Sequence, residues 1–226
     1  MADNKIEKAL YGPSTTEVAL GAVLGLGAGL LAACAFLVFK PVVQVRELPP
    51  AEKQVRGAVY YVPGSESGAK SRNWNAKQKQ LVAAQSVEVV EDELNAWSAS
   101  TLGTAGATKP GAEPAADGGI FQPGTPNFQI ADGKIRIGFR CLLNWYGVGH
   151  EVFVITRGEV RRSGDRFVYV PDTVHLGSCP LHLLPVVSRP LVSHLLSKKK
   201  VPDEILSAWA KASDVTIEGD KLKVTF

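Results

Sequence analysis

An uncharged run near the beginning of the chain constrains its fold more than any other feature. Residues 18–39 contain no charged side chain and are rich in Leu, Ala and Gly. A helix of about 22 residues is roughly 33 Å long, which matches the hydrocarbon thickness of a bilayer. In lipid an isolated segment satisfies its backbone groups only as a helix. The run therefore predicts one membrane-spanning helix over residues 18–39.

Two kinds of targeting signal share features with this run. A cleaved secretory signal has an apolar core of about 7–15 residues, whereas this run continues unbroken to Phe39. Leu31-Ala32-Ala33-Cys34 resembles a lipoprotein signal, in which the cysteine is acylated. Mature lipoproteins usually continue with polar residues, but Cys34 is followed by Ala-Phe-Leu-Val-Phe. We favour the spanning helix, and lipidation of Cys34 stays an open alternative.

Composition excludes some classes of partner and fold. The chain has 226 residues, 25 Lys and Arg against 22 Asp and Glu, and a net charge of +3. That bias is too weak to indicate a nucleic-acid partner. Three cysteines are too few for a small disulfide-framework fold. The 45% of hydrophobic residues averages an uncharged span with an ordinary globular remainder.

Three glycines repeat at four-residue spacing inside the run. Gly21, Gly25 and Gly29 lie on one face of a helix, where small residues allow two helix backbones to approach closely. They form a candidate helix-dimer face. The alternative is that Gly is simply frequent in membrane helices.

The basic residues on the two sides of the span are nearly balanced. The tail before it contains Lys5 and Lys8, and the first residues after it contain four cations, Lys40, Arg46, Lys53 and Arg56. Basic residues favour the cytoplasmic side, so this count alone leans slightly towards a cytoplasmic domain. Residues 1–17 form the tail, and the Pro-containing residues 40–56 are expected to be a juxtamembrane stalk.

The remainder, residues 57–226, has the patterns of an α+β domain. Ile135, Ile137, Phe139, Cys141 and Leu143 alternate with polar residues, which predicts a strand with one buried face. Other predicted strands lie at 57–62, 87–89, 151–158, 165–170, 215–217 and 222–226, and predicted helices at 73–85, 91–97, 183–196 and 202–212. Asp132-Gly133 and Gly219-Asp220 are turn pairs between β-runs. Hairpins with segregated helices predict a mostly antiparallel sheet packed with helices.

Residues 100–119 interrupt these patterns. Most of them are Gly, Ala, Pro, Ser or Thr, without a periodic apolar face. Burial cannot offset the entropy of ordering such a segment. A flexible insertion is therefore expected there.

A family resemblance comes from two short motifs in order. Asp92-Glu93-Leu94-Asn95 opens a helix, and after the 127–143 hairpin a strand leads into Leu176-Gly177-Ser178-Cys179-Pro180-Leu181. This order of elements over residues 86–226 resembles the YpmS-type family of bacterial proteins, which have one N-terminal span and an extracytoplasmic domain. The resemblance implies a curved sheet with an apolar interior, related to tubular lipid-binding domains. It also implies that the domain lies outside the cytoplasmic membrane and that residues 1–17 are a cytoplasmic tail, the orientation opposite to the one towards which the charge count leans.

Catalytic motifs do not stand out in the sequence. The chain lacks a G-x-S-x-G elbow, a Ser-x-x-Lys motif and H-E-x-x-H. His175, Cys179 and His182, with His194 further on, could gather around zinc, but their spacing matches no compact ligand pair. We expect a non-enzymatic protein without a cofactor or metal.

An apolar segment with a basic end is the main candidate for lipid contact. Residues 181–196 are strongly apolar and precede Lys198-Lys199-Lys200, a combination typical of segments that touch an anionic bilayer. The alternative is a core helix packed on the sheet. The candidate contacts to an apolar ligand or membrane are Trp97, Leu183, Leu184, Val187, Leu191 and Leu195.

Two cysteines in the β-rich part form a candidate disulfide. Cys141 and Cys179 both fall at apolar-facing positions, and a bridge is compatible with an extracytoplasmic domain. The alternative is two buried thiols that act as small hydrophobic side chains.

Together these features predict a single-pass membrane protein with an α+β domain that holds lipid or another apolar ligand. Its expected partners are membrane lipid and either itself or another envelope protein. The alternative function is an interaction module that assembles through its span and a sheet edge.

Overall fold

The computed structural model describes residues 12–65, 68, 71–103, 121–145, 148–184 and 201–226. The first element is helix α1, Thr15–Phe39. It begins three residues before the uncharged run because Ser14 and Glu17 form a capping box. By length and composition α1 is able to cross a membrane, and none of its most apolar window is buried within the chain.

The elements after α1 alternate short helices with strands of very different length. The helices are α2 Trp74–Val82, α3 Glu91–Trp97, which continues as a π-helical turn Ser98–Leu102, and α4 Asp203–Trp209. Short 3₁₀ turns lie at Ala51–Lys53, Ser71–Asn73 and Leu181–Leu183. The strands are β1 Val43–Gln44, β2 Tyr60–Tyr61, β3 Val87–Val90, β4 Phe121–Pro123, β5 Asn127–Ala131, β6 Lys134–Trp145, β7 Val148–Ser163, β8 Arg166–Leu176, β9 Cys179–Pro180, β10 Asp214–Glu218 and β11 Lys221–Thr225.

These strands form three sheets that are mostly antiparallel. The largest has the order β4-β6-β7-β8-β9, with β5 also paired to β6. A second sheet has the order β10-β11-β3, and β1 pairs with β2 in parallel. A bulge at Arg157/Gly158 interrupts the β7–β8 register and bends the strand. The predicted fold class, an N-terminal apolar helix followed by a mostly antiparallel α+β domain, is confirmed.

The largest sheet is buried by different partners at its two ends. Near the hairpin turns of β5–β6 and β7–β8, Ile135 and Phe167 pack with α2, α3, α4 and the second sheet in one core. At the other end, Phe139, Cys141, Val154 and their neighbours form a separate core against the last turns of α1. The sheet therefore connects α1 to the helical layer, which consists of α2, α3 and α4.

Most predicted elements are confirmed, with shifted bounds. Asp132 and Gly133 have φ of 55° and 68° in the β5–β6 turn, and Gly219 has φ of 64° in the β10–β11 turn. Helix α3 continues through the first residues of the predicted insertion, because Leu102 is buried. Residues 104–119 of that insertion, and residues 185–196 of the helix predicted at 183–196, lie outside the described residues.

Side chains of α3 complete the free edge of β5. Strand β5 pairs with β6 along one edge. On the other edge, the Phe128 amide donates to Asn95 Oδ1 at 2.6 Å, and the Ile130 amide donates to Glu91 Oε2 at 2.8 Å. Asn95 Nδ2 donates to the Phe128 and Ser65 carbonyls. These side chains replace a neighbouring strand and protect the edge from pairing with another chain.

We expect Asn95→Ala to lower the free energy of unfolding by about 3 kcal/mol, because it leaves the partly buried amide and carbonyl of Phe128 without their side-chain partner. Asn75→Ala is the matched control, since Asn75 is exposed on α2, and its effect should stay within about 0.5 kcal/mol. Chemical denaturation of the purified full-length chain measures both. Equal stability of the two variants would contradict the role given to Asn95.

Candidate functional site

The site with the most specific geometry is the place where α1 meets the turn between β8 and β9. A helix leaves its last four carbonyls without partners inside the helix. Here the Ser178 amide donates to the Leu37 carbonyl at 2.9 Å, and Ser178 Oγ donates to the Lys40 carbonyl at 3.2 Å. We call Leu176–Cys179 the docking turn. One serine of this turn binds two carbonyls at the end of α1.

Gly177 allows this close approach. Its φ is 58°, and a Cβ at this position would overlap the carbonyl oxygen of Val38. Its amide donates to the Phe153 carbonyl at 2.7 Å, which holds the turn on β7. A residue with a side chain would therefore be strained by its backbone angle and would also push α1 away.

Apolar contacts extend the junction around these hydrogen bonds. Cys34, Leu37 and Val38 of α1 pack against the core that contains Leu176, Cys179 and Leu181. On the neighbouring hairpin, the ring of Phe39 meets that of His150 edge-on, with centroids 5.3 Å apart. The end of α1 is therefore part of the domain's core.

Both partners of the candidate disulfide are buried thiols in the structure. Cys141 and Cys179 are 0% and 1% exposed, and neither they nor Cys34 form a disulfide. Burial, together with a side-chain hydrogen bond to Cys34, raises the pKa of Cys179 to about 11. At neutral pH Cys179 is therefore almost entirely protonated, the form that is a poor nucleophile and a poor metal ligand.

Two histidines meet beside the docking turn. The rings of His175 and His182 are 5.2 Å apart, and His182 Nδ1 lies 3.2 Å from the Val174 carbonyl oxygen. Among the described residues, no three His, Cys, Asp or Glu side chains are grouped so as to hold a metal ion. His194, the fourth member of the zinc hypothesis, lies outside the described residues.

The first residues of the predicted stalk and the segment just after the stalk pack on the sheet. Val42 and Val59 pack with Tyr61, Phe153 and Ile155. The ring of Tyr61 covers Gly138, where a Cβ would overlap it. This contact partly covers the face of β6 opposite to the buried one.

The candidate ligand contacts are separated in the structure. Leu183, 69% exposed, and the half-buried Leu184 follow the docking turn. Trp97 packs instead on Trp74 in the helical layer, with ring centroids 5.8 Å apart. Val187, Leu191 and Leu195 lie outside the described residues. The candidate dimer face of Gly21, Gly25 and Gly29 is exposed on α1 and stays a prediction.

Sequence reasoning missed the junction between α1 and the docking turn. Its partners are distant in the chain, and no periodicity connects them. The available local signal was Gly177-Ser178 between two β-runs, which indicates a turn but not what the turn binds.

No protein-family model, curated protein or solved structure was found to match this chain. The geometry at the end of α1 is therefore the basis for a functional proposal.

A comparison of Gly177→Ala with Gly164→Ala should distinguish the loss of the contact with α1 from the strain of an alanine at positive φ. Gly164, in the β7–β8 turn, has a similar φ of 61° but open space around it. We expect Gly164→Ala to cost about 1 kcal/mol of stability, and Gly177→Ala about 3 kcal/mol, because it also disrupts the contact with Val38.

Hydrogen exchange provides a second measurement for the same pair of variants. Exchange of the Ser178 amide should accelerate in Gly177→Ala and stay slow in Gly164→Ala. Unchanged protection of Ser178 in Gly177→Ala would contradict the docking.

Acidification should weaken the domain through His175. Burial and the neighbouring His182 lower the pKa of His175 below its ordinary value of 6.5. The unfolded chain therefore binds this proton at higher pH than the folded chain does, and stability falls as the pH decreases below about 6.5. Thermal unfolding between pH 5 and 8 should show a weaker pH dependence in His175→Gln. An identical pH dependence in both proteins would exclude His175 as the source.

Proposed function

We propose that this chain is a single-pass, non-enzymatic protein of the cytoplasmic membrane, whose domain is seated on the bilayer at the end of its span and binds lipid there. The observation that carries the proposal is the pair of hydrogen bonds from Ser178 to the Leu37 and Lys40 carbonyls. A domain on a free tether needs no such contact. With α1 in a bilayer, the docking turn lies at the level where the span leaves the lipid.

The apolar segment after the docking turn supports the lipid part of the proposal. Leu181 is 5% exposed and belongs to the core that receives α1. Two residues later, Leu183 is 69% exposed. A large apolar side chain that is exposed beside the end of an apolar helix suits contact with the bilayer interface.

The buried polar side chains of α3 support a structural role for the Glu-Leu-Asn motif. Glu93 accepts from Lys77 at 2.6 Å and from the Val90 amide at 3.0 Å. Asn95 binds β5, and Ser98 Oγ donates to the Pro126 carbonyl. These groups hold neighbouring backbone and a lysine, so they favour a binding or anchoring protein over catalysis by this helix.

The resemblance to the YpmS-type family supports an extracytoplasmic domain and an apolar ligand. In that arrangement the tail before α1 is cytoplasmic. The alternative, an interaction module that assembles through the span, predicts protein contacts at the same surfaces and is distinguished by the following experiment.

Photo-cross-linking at Leu183 tests the seating. We expect benzoylphenylalanine at position 183 of the full-length chain, in native membranes, to form adducts with lipid that intact-mass spectrometry detects. Val168 is the matched control: it is an exposed valine on β8, near the β7–β8 turn and eight residues before the docking turn, which is about 26 Å along the strand.

The adducts distinguish the two functions. Lipid adducts at position 183 and none at position 168 support a domain seated on the bilayer. Protein adducts at position 183 without lipid favour the interaction module. The absence of lipid adducts at position 183 overturns the lipid proposal.

A further inference from the structure

A tight turn at the end of the predicted stalk is bonded to the residue that follows α1. Residues 55–58 form a β-turn in which the Ala58 amide donates to the Val55 carbonyl at 3.0 Å. Gly57 has φ of 74°, as the third position of a type II turn requires. We call Val55–Ala58 the juxtamembrane turn.

Two side chains fix the position of this turn. Lys40, the residue that follows the last residue of α1, donates from Nζ to the Gly57 carbonyl at 2.9 Å. The Val55 amide donates to the Tyr60 hydroxyl at 2.8 Å, which ties the other end of the turn to β2. The distance from the end of the helix to the tip of the turn is therefore no longer than one lysine side chain.

The surface of the juxtamembrane turn combines an exposed apolar side chain with cations. Val55 is 67% exposed, and Lys53 and Arg56 on either side of it are exposed. Glu52 is the acidic neighbour, so the local balance including Lys40 is three cations to one anion. An apolar side chain flanked by cations matches the chemistry of an anionic bilayer interface.

The length of α1 places this surface among lipid headgroups. Its uncharged run, residues 18–39, is 22 residues long, which gives about 33 Å of helix against a hydrocarbon thickness of about 30 Å. Lys40, the first charged residue after this run, therefore reaches the headgroup region, and its bond to Gly57 brings the turn to the same depth.

We infer that the juxtamembrane turn, with Lys40 and Lys53, is a binding site for the phosphate of anionic phospholipid headgroups on the domain's side of the membrane. Arg56 and Lys53 contact the phosphate, and Val55 inserts between the headgroups. The inference deepens the proposed function and rests on its premise that α1 spans the bilayer.

Headgroup preference of the full-length protein tests the site. The protein is reconstituted in nanodiscs with equal amounts of phosphatidylglycerol and phosphatidylcholine, released, and analysed by native mass spectrometry for the ratio of retained lipids. We expect the wild-type protein to retain more phosphatidylglycerol than phosphatidylcholine. In the double variant Lys53→Ala/Arg56→Ala, the ratio of the two retained lipids should be at least about fivefold smaller.

The control is a double variant of the same composition. Both of its residues are exposed. Lys211 follows α4, and Arg166 begins β8 at the β7–β8 turn. These parts of the domain pack in the core that contains Ile135 and Phe167, away from α1. Lys211→Ala/Arg166→Ala should keep the wild-type ratio. The preference should also fall in high salt, because exposed cations are screened.

Two outcomes overturn the inference: a wild-type ratio near one, or an equal loss of preference in both double variants. Neither outcome bears on the cross-link at position 183. Lipid adducts at Leu183 together with a ratio near one would leave the seated domain standing without headgroup recognition. If adducts are absent at Leu183 and the preference for phosphatidylglycerol is intact, headgroup recognition is supported and lipid contact at Leu183 is overturned.

Discussion

The bond between the docking turn and the end of α1 is the constraint on which the rest of the structure depends. The last carbonyls of a helix need partners, and in this chain Ser178 supplies two of them. Gly177 makes the approach possible, and Cys34, Leu37 and Val38 add apolar contacts around it. With the sheet fixed there, Leu181 packs in the core that receives α1, and the turn at Gly57 is bonded to Lys40 just after the helix.

The same solution recurs at the other end of the domain. Asn95 and Glu91, one helical turn apart, bind two amides of β5 that alternate along the strand. In both places a few polar side chains satisfy the backbone at the boundary of an element. The Glu-Leu-Asn and Leu-Gly-Ser segments therefore each contain a residue that joins elements far apart in the chain.

Local patterns predicted what depends on neighbouring residues. The uncharged run predicted α1, the alternation from Ile135 to Leu143 predicted β6, and Asp132-Gly133 predicted the tight turn before it. Contacts between distant residues could not be predicted in this way. Nothing in the spacing brings Cys34 to Cys179 or Lys40 to Gly57, and Trp97, expected at a ligand surface, packs on Trp74 because α2 and α3 adjoin.

The direct seating of the sheet on α1 has a mechanical consequence. A domain on a loose linker swivels independently of its anchor, whereas here hydrogen bonds and a shared core join the helix to the strands. Strand β7 runs from Val148 to Ser163, a length of about 50 Å when fully extended. If α1 spans a bilayer and the junction holds, a helix tilt of about 20°, common for membrane helices, moves the far hairpin by many ångströms. In that case a small change of the helix within the bilayer becomes a large displacement at the far end of the domain.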